Sequence, residues 1–215
     1  VQNGGIATTP HEALPMPAKN QDLHGNVPDT CPVALVLIDL INDLEFEGGD
    51  KLFGPALRAA KSIAALKQKA RRRGIPVIYA NDNFGRWRSD FRETVTHCLE
   101  DGVRGRPLVE LLKPEAEDYF VLKTKHSAFY ATTLDLLLQY LKAKRLILTG
   151  VTGDMCVLLT AADAFLRDYE ILVPRDCIAS ASAAENRKAL QYMERVFHAD
   201  TRESTKLDLA KMRRG

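Results

Sequence analysis

Leu146-Ile147-Leu148-Thr149-Gly150-Val151-Thr152-Gly153-Asp154-Met155-Cys156-Val157-Leu158-Leu159 is a short apolar segment, two glycines, and a stretch that continues into Thr160-Ala161-Ala162. The first four residues have the length and continuity of a strand buried on both faces. After that strand and its glycines, Val157 to Ala162 reads as a helix, which puts Cys156 in a first helical turn. Unpaired N–H groups and the positive end of the helix dipole favour a thiolate there and lower a thiol's pKa. The same N–H groups suit a developing oxyanion. The bland reading of Cys156 is a buried structural thiol, since free cysteine is among the most buried residue types. Strand, glycine turn and helix make one βα unit, so the fold depends on whether the unit repeats.

It does. Val33-Ala34-Leu35-Val36-Leu37-Ile38 is another continuous apolar strand. A helix is predicted from Pro55 to the basic, glycine-terminated end at Arg71-Arg72-Arg73-Gly74. Further strands are read at Pro76–Ala80, Tyr119–Leu122, Ile171–Val173 and, as a short final one, Ala199–Thr201. Helices are read at Thr132–Leu141, Met155–Asp168 and Ala183–Phe197. This alternation predicts an α/β fold: one doubly wound, mostly parallel sheet with helices on both faces, a Rossmann-like three-layer sandwich. Ligands in such folds sit beyond the carboxyl ends of the strands. That rule selects Asp39, Asn81-Asp82-Asn83, Lys123 and Lys125, the Gly150–Cys156 turn and Asp176 as site candidates. An acid, a lysine and a thiol fall together on that selection.

Composition bounds the rest. The 215 residues suit one domain, expected over 31–215, with residues 1–30 as an extended or disordered arm carrying Pro10, Pro15, Pro17 and Pro28. The arm lacks the basic start and apolar core of a signal peptide, and the chain begins at Val1 rather than Met. Lys and Arg total 30 against 28 Asp and Glu, so a net charge of +2 gives no reason to expect nucleic acid or an anionic membrane as partner. No apolar run approaches the roughly 20 residues that span a bilayer. Cys31, Cys98, Cys156 and Cys177 are too few and too irregular for a disulfide framework, and a cytoplasmic protein is expected. The five histidines have no metal-ligand spacing. His126 reads as a surface residue, with a Cys156–His126 dyad the weaker alternative. The first strand has no glycine after it, which disfavours a dinucleotide cofactor.

Three ordered segments carry a family resemblance: Asp39-Leu40-Ile41-Asn42-Asp43-Leu44; Lys123-Thr124-Lys125-His126-Ser127-Ala128-Phe129; and Gly150-Val151-Thr152-Gly153-Asp154-Met155-Cys156. Together they resemble the isochorismatase-like cysteine hydrolase superfamily, which includes nicotinamidases and N-carbamoylsarcosine amidases. The resemblance implies a catalytic set of Asp39, Lys123 and Cys156, with Lys123 rather than Lys125 as the family's lysine. It also implies backbone N–H groups of Thr152 and Cys156 as an oxyanion hole, and a cis peptide at Val151–Thr152. The implied reaction is cleavage of a small amide or carbamoyl substrate through a thioester, in a homodimer or homotetramer. Asn83, Trp87, Phe129 and Val151 are the candidate substrate-binding residues. Nicotinamidases of the family bind a metal through histidines after the second strand. Here that region runs Asn81-Asp82-Asn83-Phe84-Gly85-Arg86-Trp87-Arg88-Ser89-Asp90 without one, so no metal and no cofactor are expected. Ile41 and Leu44 are expected to make the pocket wall more aliphatic than in most members. The alternative reading is a non-catalytic or redox-regulatory relative that keeps the pocket.

Overall fold

In the computed structural model, which describes residues 30–83 and 90–214, six parallel strands form one sheet. The elements in chain order are β1 (Val33–Ile38), α1 (Gly49–Arg71), β2 (Val77–Asp82), α2 (Phe91–Glu100), α3 (Arg106–Leu111), β3 (Tyr119–Lys123), α4 (Leu134–Leu141) and β4 (Arg145–Val151). A π-helical turn (Gly153–Val157) then leads into α5 (Leu158–Phe165), β5 (Glu170–Leu172), β6 (Ile178–Ala179), α6 (Ala183–Val196), a 3-10 turn (Ser204–Lys206) and α7 (Leu209–Arg214). Spatially the strands run β3-β2-β1-β4-β5, with β6 pairing the end of β4 through Gly150 and Val151. The strand order reverses between β1 and β4, so the switch point lies where Asp39 and the cysteine turn leave the sheet. The expected arm and the Trp87 loop, with Arg86 and Arg88, lie outside the described residues apart from Thr30.

Strand β1 shows why the sheet is buried on both sides. Val33, Leu35 and Leu37 pack with α1, α2 and α3, while Ala34, Val36 and Ile38 pack with α4, α5 and α6. Every residue of the strand is buried. Side chains alternate between faces, so a strand covered by helices on both sides must be apolar at every position.

Several boundaries differ from the sequence expectation, each for a local reason. Helix α1 starts at Gly49, six residues before Pro55, from the left-handed Gly48 (φ 84°), with no side-chain cap to mark it. The cysteine helix opens as a π-turn, and its α-helical part is Leu158–Phe165. The final strand reduces to a single bridge between Leu172 and Asp200. Two helices (α3, α7) and the two-residue β6 were not among the predicted elements. Among the described residues, no helix is long and apolar enough to cross a membrane.

Candidate active site

Asp39 leaves β1 with a positive φ of 52°, its N–H bonded to Ala80 O of β2. The turn is held from the neighbouring strand. Asn81 donates from Nδ2 to Ile41 O at 2.6 Å and accepts from Ile41 N at 3.2 Å. The loop also closes on itself, with Asn42 Oδ1 accepting from Leu44 N at 2.8 Å. Ile41 and Leu44, expected as pocket wall, instead point into the core under α1, and neither is exposed. Asp39 Oδ1 accepts from Asp82 N at 2.8 Å, which leaves Oδ2 for the lysine.

Lys123 ends β3, two strands away from β1. With strands about 4.8 Å apart, only a long side chain crosses β2 to reach Asp39. Its ammonium lies 2.8 Å from Asp39 Oδ2, 3.5 Å from Asp82 Oδ2 and 3.2 Å from Lys125 O, with no exposed surface. Lys125 is exposed. Strand β3 ends at Lys123, so Lys125 lies in the bend beyond the sheet and Lys123 is the lysine held in the site.

The cysteine turn reaches the same place from β4. Gly150 (φ +122°) lies against β1, where an added Cβ would stand 2.0 Å from Ile38 O. No other residue fits there. Val151–Thr152 is a cis peptide, at the bond where the resemblance placed it. Thr160 then ties the cysteine turn to the lysine segment, donating to Cys156 O at 2.7 Å and accepting from Ala128 N at 3.0 Å. Cys156 Sγ ends 3.8 Å from Lys123 Nζ, hydrogen-bonded to the Asp39 carboxylate and to the Thr152 backbone.

The three groups titrate as a unit. Burial raises the Asp39 carboxyl, against the pull of Lys123. Burial alone would lower Lys123, but the Asp39 carboxylate and then Cys156 outweigh it, and the ammonium stays protonated. Burial, and then the facing Asp39 carboxylate, push the Cys156 thiol up to about 12. The helix start therefore does not yield the lowered thiol pKa expected from sequence. A desolvated sulfur beside a carboxylate holds its proton. The resting arrangement is a thiol hydrogen-bonded to a carboxylate whose charge an ammonium balances.

Among the other sequence candidates, Asn83 is buried and binds Lys123 O through its N–H at 3.0 Å. Val151 is buried in the core on the α1 side. The Phe129 ring packs in the opposite core, 6.0 Å from Tyr169 and under the Arg167 guanidinium. Asp176 shapes a connection, its carboxylate accepting from Ser204 N and Oγ. His126 is exposed, yet its Nδ1 lies 3.9 Å from Cys156 Sγ. Its place directly before Ser127-Ala128-Phe129 was the only sequence signal for that proximity. Among the described residues, no three His, Cys, Asp or Glu side chains group as metal ligands.

The chain matches the isochorismatase domain model over residues 33–203. It is 41% identical over 167 residues to the uncharacterized isochorismatase family protein YaaI of Bacillus subtilis (strain 168), covering 78% of this chain and 91% of that one. In three dimensions it is similar to N-carbamoylsarcosine amidase from Thermoplasma acidophilum, with a TM-score of 0.64 and 28% identity over 82% of this chain and 98% of that one. It is likewise similar to the nicotinamidase PncA from Bacillus subtilis, with a TM-score of 0.63 and 28% identity over 80% and 99%.

Proposed function

The chain belongs to the isochorismatase family of hydrolases, and on that premise we propose that it is a cysteine amidohydrolase that cleaves a C–N bond of a small amide or carbamoyl compound. One observation carries this reading: Asp39, Lys123 and Cys156, from three separate strand ends, meet within hydrogen-bonding reach of one another. A buried ion pair is a costly way to stabilise a fold, since desolvation offsets most of its attraction. Beside a thiol it has a chemical use.

In the proposed cycle Asp39 takes the Cys156 proton as the sulfur attacks the carbonyl carbon. The C–S bond forms while the C=O π pair moves to oxygen, and backbone N–H groups of Thr152 and Cys156 hold the oxyanion. The high thiol pKa suits this order, because proton transfer accompanies attack and needs no resting thiolate. Protonated Asp39 then gives its proton to the leaving nitrogen as the C–N bond breaks. Water attacks the thioester with Asp39 again as base, the C–S bond breaks, and the sulfur recovers a proton. Lys123 stays protonated throughout and offsets whichever negative charge faces it. Every group in this cycle belongs to the chain, so no metal is invoked.

The test is release of ammonia or amine from a panel of primary amides, N-carbamoyl compounds and ureido compounds. Turnover that disappears in Cys156→Ala and Asp39→Asn, with circular dichroism unchanged, supports the reading. Turnover near wild type in Cys156→Ala removes the nucleophile and the proposal with it. The proposed assembly is a homodimer or homotetramer, which light scattering on the full chain decides.

A further inference from the structure

We propose that the cavity beside His126 is the subsite for the non-reacting part of the substrate, and that it takes an apolar body, an aliphatic chain or an aromatic ring. The inference rests on the cysteine-hydrolase reading and names the substrate class within it.

The cavity, of about 500 Å³, lies between the segment after β3 and α5, and its lining includes His126, Tyr130, Leu159, Ala162 and Leu166. That volume falls within the range of small-molecule sites, roughly 300–1,000 Å³. His126 joins it to the chemistry, because the same ring has Nδ1 3.9 Å from Cys156 Sγ. A carbonyl carbon poised about 3–3.5 Å from the sulfur has its substituents one bond farther out, beside that ring. A substituent leaving the reacting centre on that side enters the cavity.

The lining indicates what it accepts. The acidic group in the wall is already engaged, since Asp163 takes a hydrogen bond from Ser127 Oγ at 2.5 Å and an ion pair from Arg167 at 2.9 Å. Apart from Lys125 and His126, which also line it, the surface left over is apolar, with Tyr130, Leu159 and Leu166 exposed at 59%, 40% and 76%. Single exposed apolar residues need no explanation. Three around one hollow that adjoins the nucleophile form a patch of the kind that marks a ligand groove. The large cavity lined by Arg145, Asp200 and Arg202 differs on both counts, being mostly charged and facing the start of β4 rather than its end.

The experiment compares the rate of Cys156 alkylation by iodoacetamide with that by N-hexyliodoacetamide, read by peptide mass spectrometry. Cys31, Cys98 and Cys177, all buried and free, are internal controls, and turnover is not required. Each buried methylene is worth about fourfold, so burial of only two gives the hexyl reagent an advantage of about 15-fold. Ala162→Phe, which fills the cavity, is expected to bring the ratio to about twofold or less. Leu159→Gln makes the wall polar without adding bulk and is expected to lower the ratio too, so the test survives misfolding of the first variant. A ratio near one in the wild type, or one that neither variant changes, overturns the proposal. So does a ratio near one together with self-association that Leu159→Gln abolishes, which assigns this face to a second copy of the chain. Amide hydrolysis is assayed alongside. Its absence with the alkylation preference intact counts against the hydrolase reading and supports the subsite; hydrolysis without the preference does the reverse.

Discussion

Replacing Lys123 with methionine isolates what the buried ammonium does for Asp39. The pair is 2.8 Å apart, and the lysine has no exposed surface, so the substitution leaves a carboxylate without its counter-charge. An uncompensated buried charge costs about 3–5 kcal/mol. The folded protein has one escape, which is to keep Asp39 protonated. That escape costs about 1.4 kcal/mol for each pH unit above the carboxyl's ordinary value of 3.8. The penalty is therefore about 1 kcal/mol near pH 4.5 and reaches the 3–5 kcal/mol range by about pH 7.5. Loss of the hydrogen bond to Lys125 O adds about 1 kcal/mol at any pH. The sign follows from proton binding. A carboxyl raised in the folded state holds its proton more tightly there, so stability falls as pH climbs from the unfolded value through the folded one. Urea unfolding of wild type and Lys123→Met at the two pH values reads the difference directly. A stability loss that is the same at both would refute the charge pairing of Asp39 with Lys123. Activity adds a second reading, because a protonated Asp39 cannot accept the thiol proton, so the acid limb of the kcat/KM profile moves upward in the variant.

Three other perturbations follow from the same geometry. Gly150→Ala sets a methyl 2.0 Å from Ile38 O at a φ of +122°, and should cost about 3 kcal/mol or more in chemical denaturation. Asn81→Leu leaves the buried N–H and C=O of Ile41 without partners; a loss of about 2–4 kcal/mol is expected, with kcat falling more than KM changes as the Asp39 loop loosens. His97 bridges Asp101 at 2.7 Å and Asp43 at 3.2 Å, and those hydrogen bonds raise its pKa above 6.5. The stability it contributes is complete below 6.5 and fades as pH rises through the raised value, so Asn at this position should flatten that part of the stability–pH curve.

The sheet was legible because a doubly covered parallel strand must be apolar throughout, which is how Val33–Ile38 reads. The start of α1 was not, because a left-handed Gly48 caps it without a side-chain signal and Pro55 imitates a first-turn proline. Strand β6 is two residues long and exists through its pairing with Gly150 and Val151, a relation that no local pattern carries. In the site, position after a strand picked out Asp39, Lys123 and the cysteine turn. Choosing between Lys123 and Lys125 took the resemblance, and the physical reason is that β3 ends at Lys123 and leaves Lys125 in the bend beyond the sheet. Asn81 was on the same selection, but its hold on Ile41 depends on which strands are neighbours. Desolvation was the largest miss. Sequence shows the helix start that favours a thiolate, but not the burial and the carboxylate that drive Cys156 up to about 12.

The central claim, that Cys156 carries the acyl group in turnover, is tested most directly by acid-quenching the enzyme during steady-state hydrolysis of a competent amide. The peptide containing Cys156 is then weighed by mass spectrometry. The account predicts that this peptide alone gains the mass of the acyl or carbamoyl group, as a thioester that hydroxylamine removes. Product formation in the same sample with Cys156 unmodified at every quench time, and with turnover persisting in Cys156→Ala, would contradict it.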